Sequence, residues 1–493
     1  MNRRKTVLVF VRGTRLLRLF QELVVDLARD HRVVVLVWPE QLEAFSSLEG
    51  VEVWRYENAD NPSATKTDAA WSMSDEELRA RAREIELETG LRLYKAASNY
   101  LLYGRIVKSY GGWWSYLETE RDMLSAYVGA YLQLSTIFEE VKPDVVYYET
   151  IDIISTYVAF TLAYRRGIFA LDTRFSPLTD GKVSTGFGLH RKNIVLEYLY
   201  AHRGDILPSS FAAADEMMNR PRQYLLDTTY ARINRNLMKG NSPFNLARLV
   251  PLLSDWRAVA RAIRNRRWHL YAARNRIWLW RNLTREIPKQ AYIVFYPSNM
   301  PEASTSAQAP RWVDQEVVVE QLAINAPSHL KIVVKEHPNT YGTRGRDFFQ
   351  RLKDLPNVVL CHPAVDSHAL LSGAKAVVAI TGTLGLEGIL LGKRVGVLGR
   401  PFYSVYKGVK TLNYPEEIYD AMEDPAWRPE EMGQETRDFL AAYIQSSHEF
   451  GHGGKTDIFP PTGGDKWAGA LRQTMNLIDT HKLKPSDFDT ALF

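Results

Sequence analysis

The sequence predicts an α/β protein made of two Rossmann-like domains facing a cleft, with helical insertions. Three observations carry that expectation. Short apolar runs alternate with helical stretches at the start of the chain, the same rhythm returns after residue 291, and long helical text separates the two blocks. The 493 residues are 45% hydrophobic and 24% charged, with 30 Gly and 23 Pro, which are ordinary globular proportions. The length suits two or three cores rather than one. A net charge of +5 is too mild to imply nucleic acid. The single cysteine, Cys361, excludes an intramolecular disulfide and a cysteine-based zinc site.

The elements follow in order. Thr6–Val11 reads as a buried strand and not a signal peptide, because the apolar run is six residues and Arg12 closes it. No stretch approaches ~20 uninterrupted apolar residues, so a cytoplasmic protein without a membrane span is expected. After the Arg12–Arg15 turn, Leu16, Leu17, Phe20, Leu23, Val24 and Leu27 share one helical face. Val33–Trp38 and Val51–Tyr56 are the next strands. Residues 60–140 read as a helical insertion, and the α/β rhythm resumes at Asp144–Glu149, a helix around Ile153–Arg165 and the strand Ile168–Asp172. This gives a first domain over residues 1–200.

Residues 201–290 read as a helical connecting region. Within it, Trp256–Lys289 holds nine Arg, one Lys and four Trp against one acid, Glu286. Such a tract suits an anionic membrane surface, or else a solvated basic helix whose Trp side pack on the domains. The second α/β block, 291–405, alternates from Tyr292–Tyr296 to Arg394–Leu398 and is the clearest architectural signal. Residues 406–493 read as a helical tail.

Four loops of the second block carry candidate chemistry, each just after a strand. Pro297–Thr305 offers hydroxyls, Ser304 among them, and the carboxylate of Glu302. Lys335, His337 and Pro338 place a cation and an imidazole where a phosphate could be neutralised. Thr381, Gly382 and Thr383 lead into a helix, whose free N–H groups suit an anion, with Glu387 one turn inside to accept from ribose hydroxyls. Gly399–Tyr403 could wall the site with aromatics. Each loop alone is equally a turn or a cap.

Together, FYPSNMPEAST, VVKEHP, LPNVVLCHPAVDSHALL and AVVAITGTLGLEGILLGKRVGVLGRPFY, over about residues 291–405, look like the bacterial capsule polysaccharide biosynthesis family. That family includes the β-Kdo transferases of capsule and lipopolysaccharide assembly. VKPDVVYYET and GIFALDTRFSP resemble its acceptor-side domain. The resemblance implies a GT-B-like glycosyltransferase whose second domain holds the donor nucleotide. It implies that His337, Pro338, Thr381, Gly382 and Thr383 contact the CMP phosphate and ribose, with Glu387 on the ribose side. Glu302 matches an essential acid of the family, although Glu stands where Asp is usual and Ser298-Asn299-Met300 departs from the family's pattern. Asp172 and Arg174 resemble an acidic-then-Arg motif, for proton transfer and for binding a carboxylate or phosphate; Glu149 is the competing carboxylate.

The expected function is transfer of a sugar, Kdo or a related acidic sugar, from a CMP-linked donor to a polysaccharide or glycolipid. The protein would sit at the inner membrane through 256–289. The one Asp-x-Asp, Asp487-Phe488-Asp489, follows no strand, so no catalytic metal is expected and Lys335 and His337 would meet the phosphate charge. The rivals are a CDP-alcohol polyol-phosphate transferase, a UDP-sugar enzyme, and a non-enzymatic assembly platform at the membrane.

Overall fold

A computed structural model describes residues 4–11, 16–57, 60, 69–103, 117, 119–227, 266–297, 308–342, 344–451, 460 and 462–488. The first domain opens with strand β1 (Thr6–Phe10), helix α1 (Leu17–Leu27), β2 (Arg32–Val37) and β3 (Val51–Arg55). The runs VLVF and VVVLV are buried on both faces, as central parallel strands require. Two insertion helices follow, α2 (Asp75–Thr89) and α3 (Glu120–Val141). Each starts at a reciprocal cap, Ser74 with Glu77 and Thr119 with Asp122. Then come β4 (Val145–Tyr148), α4 (Ile154–Arg165), β5 (Phe169–Phe175) and β6 (Lys182–Phe187).

The junction and second domain begin with α5 (Ile194–Ala201), α6 (Pro208–Asn219) and α7 (Arg266–Asn282). The second sheet is laid down by β7 (Tyr292–Phe295), α8 (Gln315–Asn325), β8 (Lys331–Lys335), α9 (Arg346–Lys353), β9 (Val358–Cys361), α10 (Ser367–Gly373), β10 (Ala376–Ala379), α11 (Leu384–Leu390), β11 (Arg394–Val397) and β12 (Val409–Thr411). The chain closes through α12 (Gly433–Gln445), β13 (His448–Glu449) and α13 (Gly464–His481).

The second sheet runs β12-β11-β10-β7-β8-β9, all parallel. That is the Rossmann strand order, with the reversal of direction between β7 and β10. The first sheet runs β13-β6-β5-β4-β1-β2-β3, parallel from β3 to β5, with β6 and β13 antiparallel at one edge.

Residues 406–493 are not a separate tail. β12 joins the second sheet, while β13 pairs with β6 in the first. α13 packs on α1, and its Trp467 lies in the first core beside Phe20 and Tyr147, ring centres 5.4 and 6.0 Å away. The Trp467 indole donates to Thr173 of β5. The apolar side of α13, with Trp467, Ala468, Leu471 and Met475 buried in the first core, holds this helix there. The chain therefore crosses between domains twice, near residue 193 and near residue 446. The crossings touch: buried Asn193 Nδ2 donates to Ser446 Oγ at 2.9 Å, while Asn193 Oδ1 caps α5.

Candidate functional site

The sheet order places three of the four loops on one edge. Along the carboxyl edge of the second sheet they run Gly399–Tyr403, Thr381–Thr383 and Lys335–Pro338, after β11, β10 and β8. β7 lies between β10 and β8, and its reversal point with β10 is where open α/β sheets hold ligands. Glu302 and Ser304 lie outside the described residues.

Lys335 ends β8 almost wholly buried, with Nζ donating to Ser367 Oγ at 2.7 Å and lying 5.1 Å from the Tyr296 ring centre. Burial pulls its pKa down, which Cys361, Glu387 and Asp366 oppose. Ser367 opens α10, where Asp366 caps the helix by accepting from the His368 N–H at 2.9 Å. Neither Ser367 nor Tyr296 stands out in the sequence, since a Ser after an Asp cap and a Tyr ending a strand are commonplace. Only the folded sheet brings them to Lys335.

Glu336 is buried and accounts for the shape of the next loop. Its carboxylate accepts from the His337 N–H at 2.9 Å, from Arg344 Nε at 3.0 Å and from the Thr340 hydroxyl. A buried carboxylate with three donors fixes the Pro338–Thr340 turn and aims His337. The His337 ring lies 5.5 Å from that of Tyr296. Burial first, then the charges of Lys335 and Arg344, push its pKa down to about 3. His337 is therefore neutral at pH 7.

Across the reversal point, Thr381, Gly382 and Thr383 are each partly exposed, and open space surrounds Gly382 where a Cβ would sit. Tyr403 packs against Gly385, where any side chain would collide with its ring, and donates to Gly382 O at 2.6 Å. One aromatic from the β11 loop thus fixes the β10 loop. Glu387 lies on the short α11, where burial lifts its carboxyl to about 7 against the pull of Lys335.

The first domain contributes Arg174. Its guanidinium lies 4.1 Å above the centre of the Phe402 ring, and one nitrogen donates to Arg191 O at 2.8 Å. A residue of β5 thus meets the loop after β11, so the carboxyl edges of the two sheets face one another. Asp172 differs from its expected place at a strand end. Antiparallel pairing with β6 prolongs β5 to Phe175 and leaves Asp172 mid-strand and 1% exposed. Its carboxylate presses on Gly186, where a Cβ would collide with it, and accepts from Arg191 Nε at 2.5 Å. Burial raises its pKa, which Arg191 and then Arg174 oppose. Glu149 follows β4 and is partly exposed.

The arrangement sets a buried lysine and a neutral imidazole at the carboxyl edge of the second sheet, with an arginine of the facing domain on the Phe402 loop of the same edge. Among the described residues, no group of three or more His, Cys, Asp or Glu side chains is placed to hold a metal ion, and no helix is long and apolar enough to cross a membrane.

Residues 306–445 match the family model described as capsule polysaccharide biosynthesis protein. No curated protein matches the chain. Among solved structures, the KpsC β-Kdo 2,7 transferase of Thermosulfurimonas dismutans is 13% identical, covering 76% of this chain and 97% of its own, with a TM-score of 0.37. The β-Kdo 2,4 transferase of the same KpsC is 14% identical, covering 62% and 82%, with a TM-score of 0.37. The UDP-GlcNAc 2-epimerase of Neisseria meningitidis, bound to UDP-GlcNAc, is 13% identical, covering 96% and 100%, with a TM-score of 0.28. The matched stretch, 306–445, holds Lys335, His337, Thr381 and Glu387.

Proposed function

From a chain whose second domain matches the capsule polysaccharide biosynthesis family, we propose a glycosyltransferase that moves Kdo or a related acidic sugar from a CMP-linked donor onto a glycan or glycolipid. The observation that carries this reading is the pairing of Lys335 and His337 across the reversal point from the partly exposed Thr381–Thr383 loop, with Arg174 of the other domain seated on Phe402 in the loop after β11. In this reading a nucleoside monophosphate lies between the two loops, its phosphate toward the lysine and its ribose toward Glu387.

In the reaction, an acceptor oxygen forms a bond to the anomeric carbon as the bond from that carbon to the phosphate oxygen breaks. The electron pair leaves with CMP, where Lys335 and the His337 N–H stabilise the growing charge, with no divalent metal in this role. Glu149, on the carboxyl edge of the first sheet, takes the acceptor proton; Asp172 is committed to Arg191. Glu302, in the sequence after β7, is assigned to the anomeric carbon. Arg174 suits the carboxylate of an acidic sugar.

Calorimetric titration with CMP, CDP and UDP in the absence of magnesium tests the reading. CMP is expected to bind most tightly, and Lys335→Met to weaken it by roughly tenfold or more, as loss of a charged hydrogen bond does. CMP affinity that survives Lys335→Met refutes the phosphate site. Tighter CDP or UDP binding moves the donor to the corresponding rival class.

A further inference from the structure

α7 is amphipathic in an unusual sense, because both of its faces carry apolar residues. Its inner face, Ala272, Asn275, Leu279 and then Leu283, is buried against the second domain. Asn275 Nδ2 donates to Gly342 O and Arg344 O at 3.3 and 3.4 Å, and Arg276 Nε to Tyr341 O at 3.3 Å. These contacts hold the segment that continues from the His337 turn. The outer face repeats at the same helical spacing, Leu270, Arg274, Ile277 and Arg281, with Trp280 at its border. Leu270 is 64% exposed, Ile277 44% and Trp280 45%, and Arg274, Arg281 and Arg285 are exposed around them.

Between Arg266 and Arg285 the sequence has six arginines and no Asp or Glu. A face of large apolar residues, Leu270, Tyr271, Ile277 and Trp280, bordered by Arg274, Arg281 and Arg285 with Glu286 as the one acid beside them, is complementary to a bilayer surface that is apolar below and anionic above. We infer that the outer face of α7 docks on an anionic lipid surface, with Leu270, Ile277 and Trp280 at the headgroup boundary and Arg274, Arg281 and Arg285 on lipid phosphates. One helix thickness, ~10 Å, then separates the bilayer from the His337 loop, so docking sets the cleft beside the membrane. The inference names the surface at which a lipid-linked acceptor would be met and rests on the transferase reading for nothing else.

Vesicle sedimentation without donor or acceptor tests it, so that its failure is distinct from failure of the transferase reading. The chain is expected to sediment with phosphatidylglycerol–phosphatidylcholine vesicles and not with phosphatidylcholine alone, and to be released by salt. The Arg274→Gln/Arg281→Gln/Arg285→Gln variant should bind on the order of 100-fold more weakly, with an unchanged melting curve. Quenching of tryptophan emission by brominated phosphatidylglycerol should fall in Trp280→Phe, which retains an apolar ring. Wild-type protein that ignores anionic vesicles at low salt overturns the inference. So does binding that the triple variant retains, which would put the contact elsewhere on the chain. Self-association that the triple variant abolishes, with no lipid binding by wild type, would assign the face to a second copy.

Discussion

Glu387 gives the most quantitative handle on the site. Burial lifts its carboxyl from 4.5 to about 7, so the folded protein prefers the neutral acid while the unfolded chain ionises near the ordinary value. The sign follows from proton binding. As pH rises from 4.5 to 7 the native state retains a proton that the unfolded state has released, and stability falls; above pH 7 the loss levels off. For a displacement of this size the full loss has a ceiling of about 3 kcal/mol. Glu387→Gln has no such titration. Relative to wild type it should gain about 1 kcal/mol at pH 5 and up to about 3 kcal/mol at pH 8.5. Thermal melts at half-unit pH steps would read this as a difference that widens by on the order of 5 °C with rising pH. Lys335→Met should enlarge the effect, because Lys335 is the charge that opposes it. A difference that stays constant across the range, or one that narrows as pH rises, refutes the burial of the Glu387 carboxyl.

Three further outcomes are expected. Arg191→Met leaves Asp172 buried without its partner and should destabilise the first domain by about 3–5 kcal/mol in urea titrations, most of it recovered in the Arg191→Met/Asp172→Asn double variant. His337, with its pKa held near 3, should give a CMP affinity that does not rise as pH falls through 6.5, and His337→Ala should cost about 1.5–3 kcal/mol, the value of a hydrogen bond to an ionised phosphate; a sharp gain in wild-type affinity below pH 6.5 would show a protonated imidazole. Trp467→Ala removes the anchor of α13 in the first core and should cost about 3–5 kcal/mol, seen as a lowered melting temperature and faster proteolysis before residue 464.

The second sheet was legible from β7 to β11 because each of these strands is a continuous apolar run bounded by a turn and a helix, whereas β12, VKT, carries no such signal and fell in the expected tail. The four loops were legible for the same reason: a strand end locates the residues after it. β6 was not. Lys182–Phe187 is a short run, KVSTGF, with few large apolar residues, and it forms because β5 and the distant His448–Glu449 supply partners on either side. That missed strand also misplaced Asp172 at a strand end. Ser367 and Arg344 escaped notice because their roles rest on Lys335 and Glu336, contacts made across loops that no local pattern encodes. Arg174 was found by its motif, but its seat on Phe402 depends on how two domains meet.

The bond between Asn193 and Ser446 has a mechanical consequence. Two covalent links set far apart would brace the domains against one another, whereas two links tied together at one buried point behave as a pivot. Rotation about that point leaves the links almost undisturbed, and displacement grows with the lever arm from it. A substitution at Asn193 should therefore alter the rate at which the two halves part more than it alters the chemistry between them.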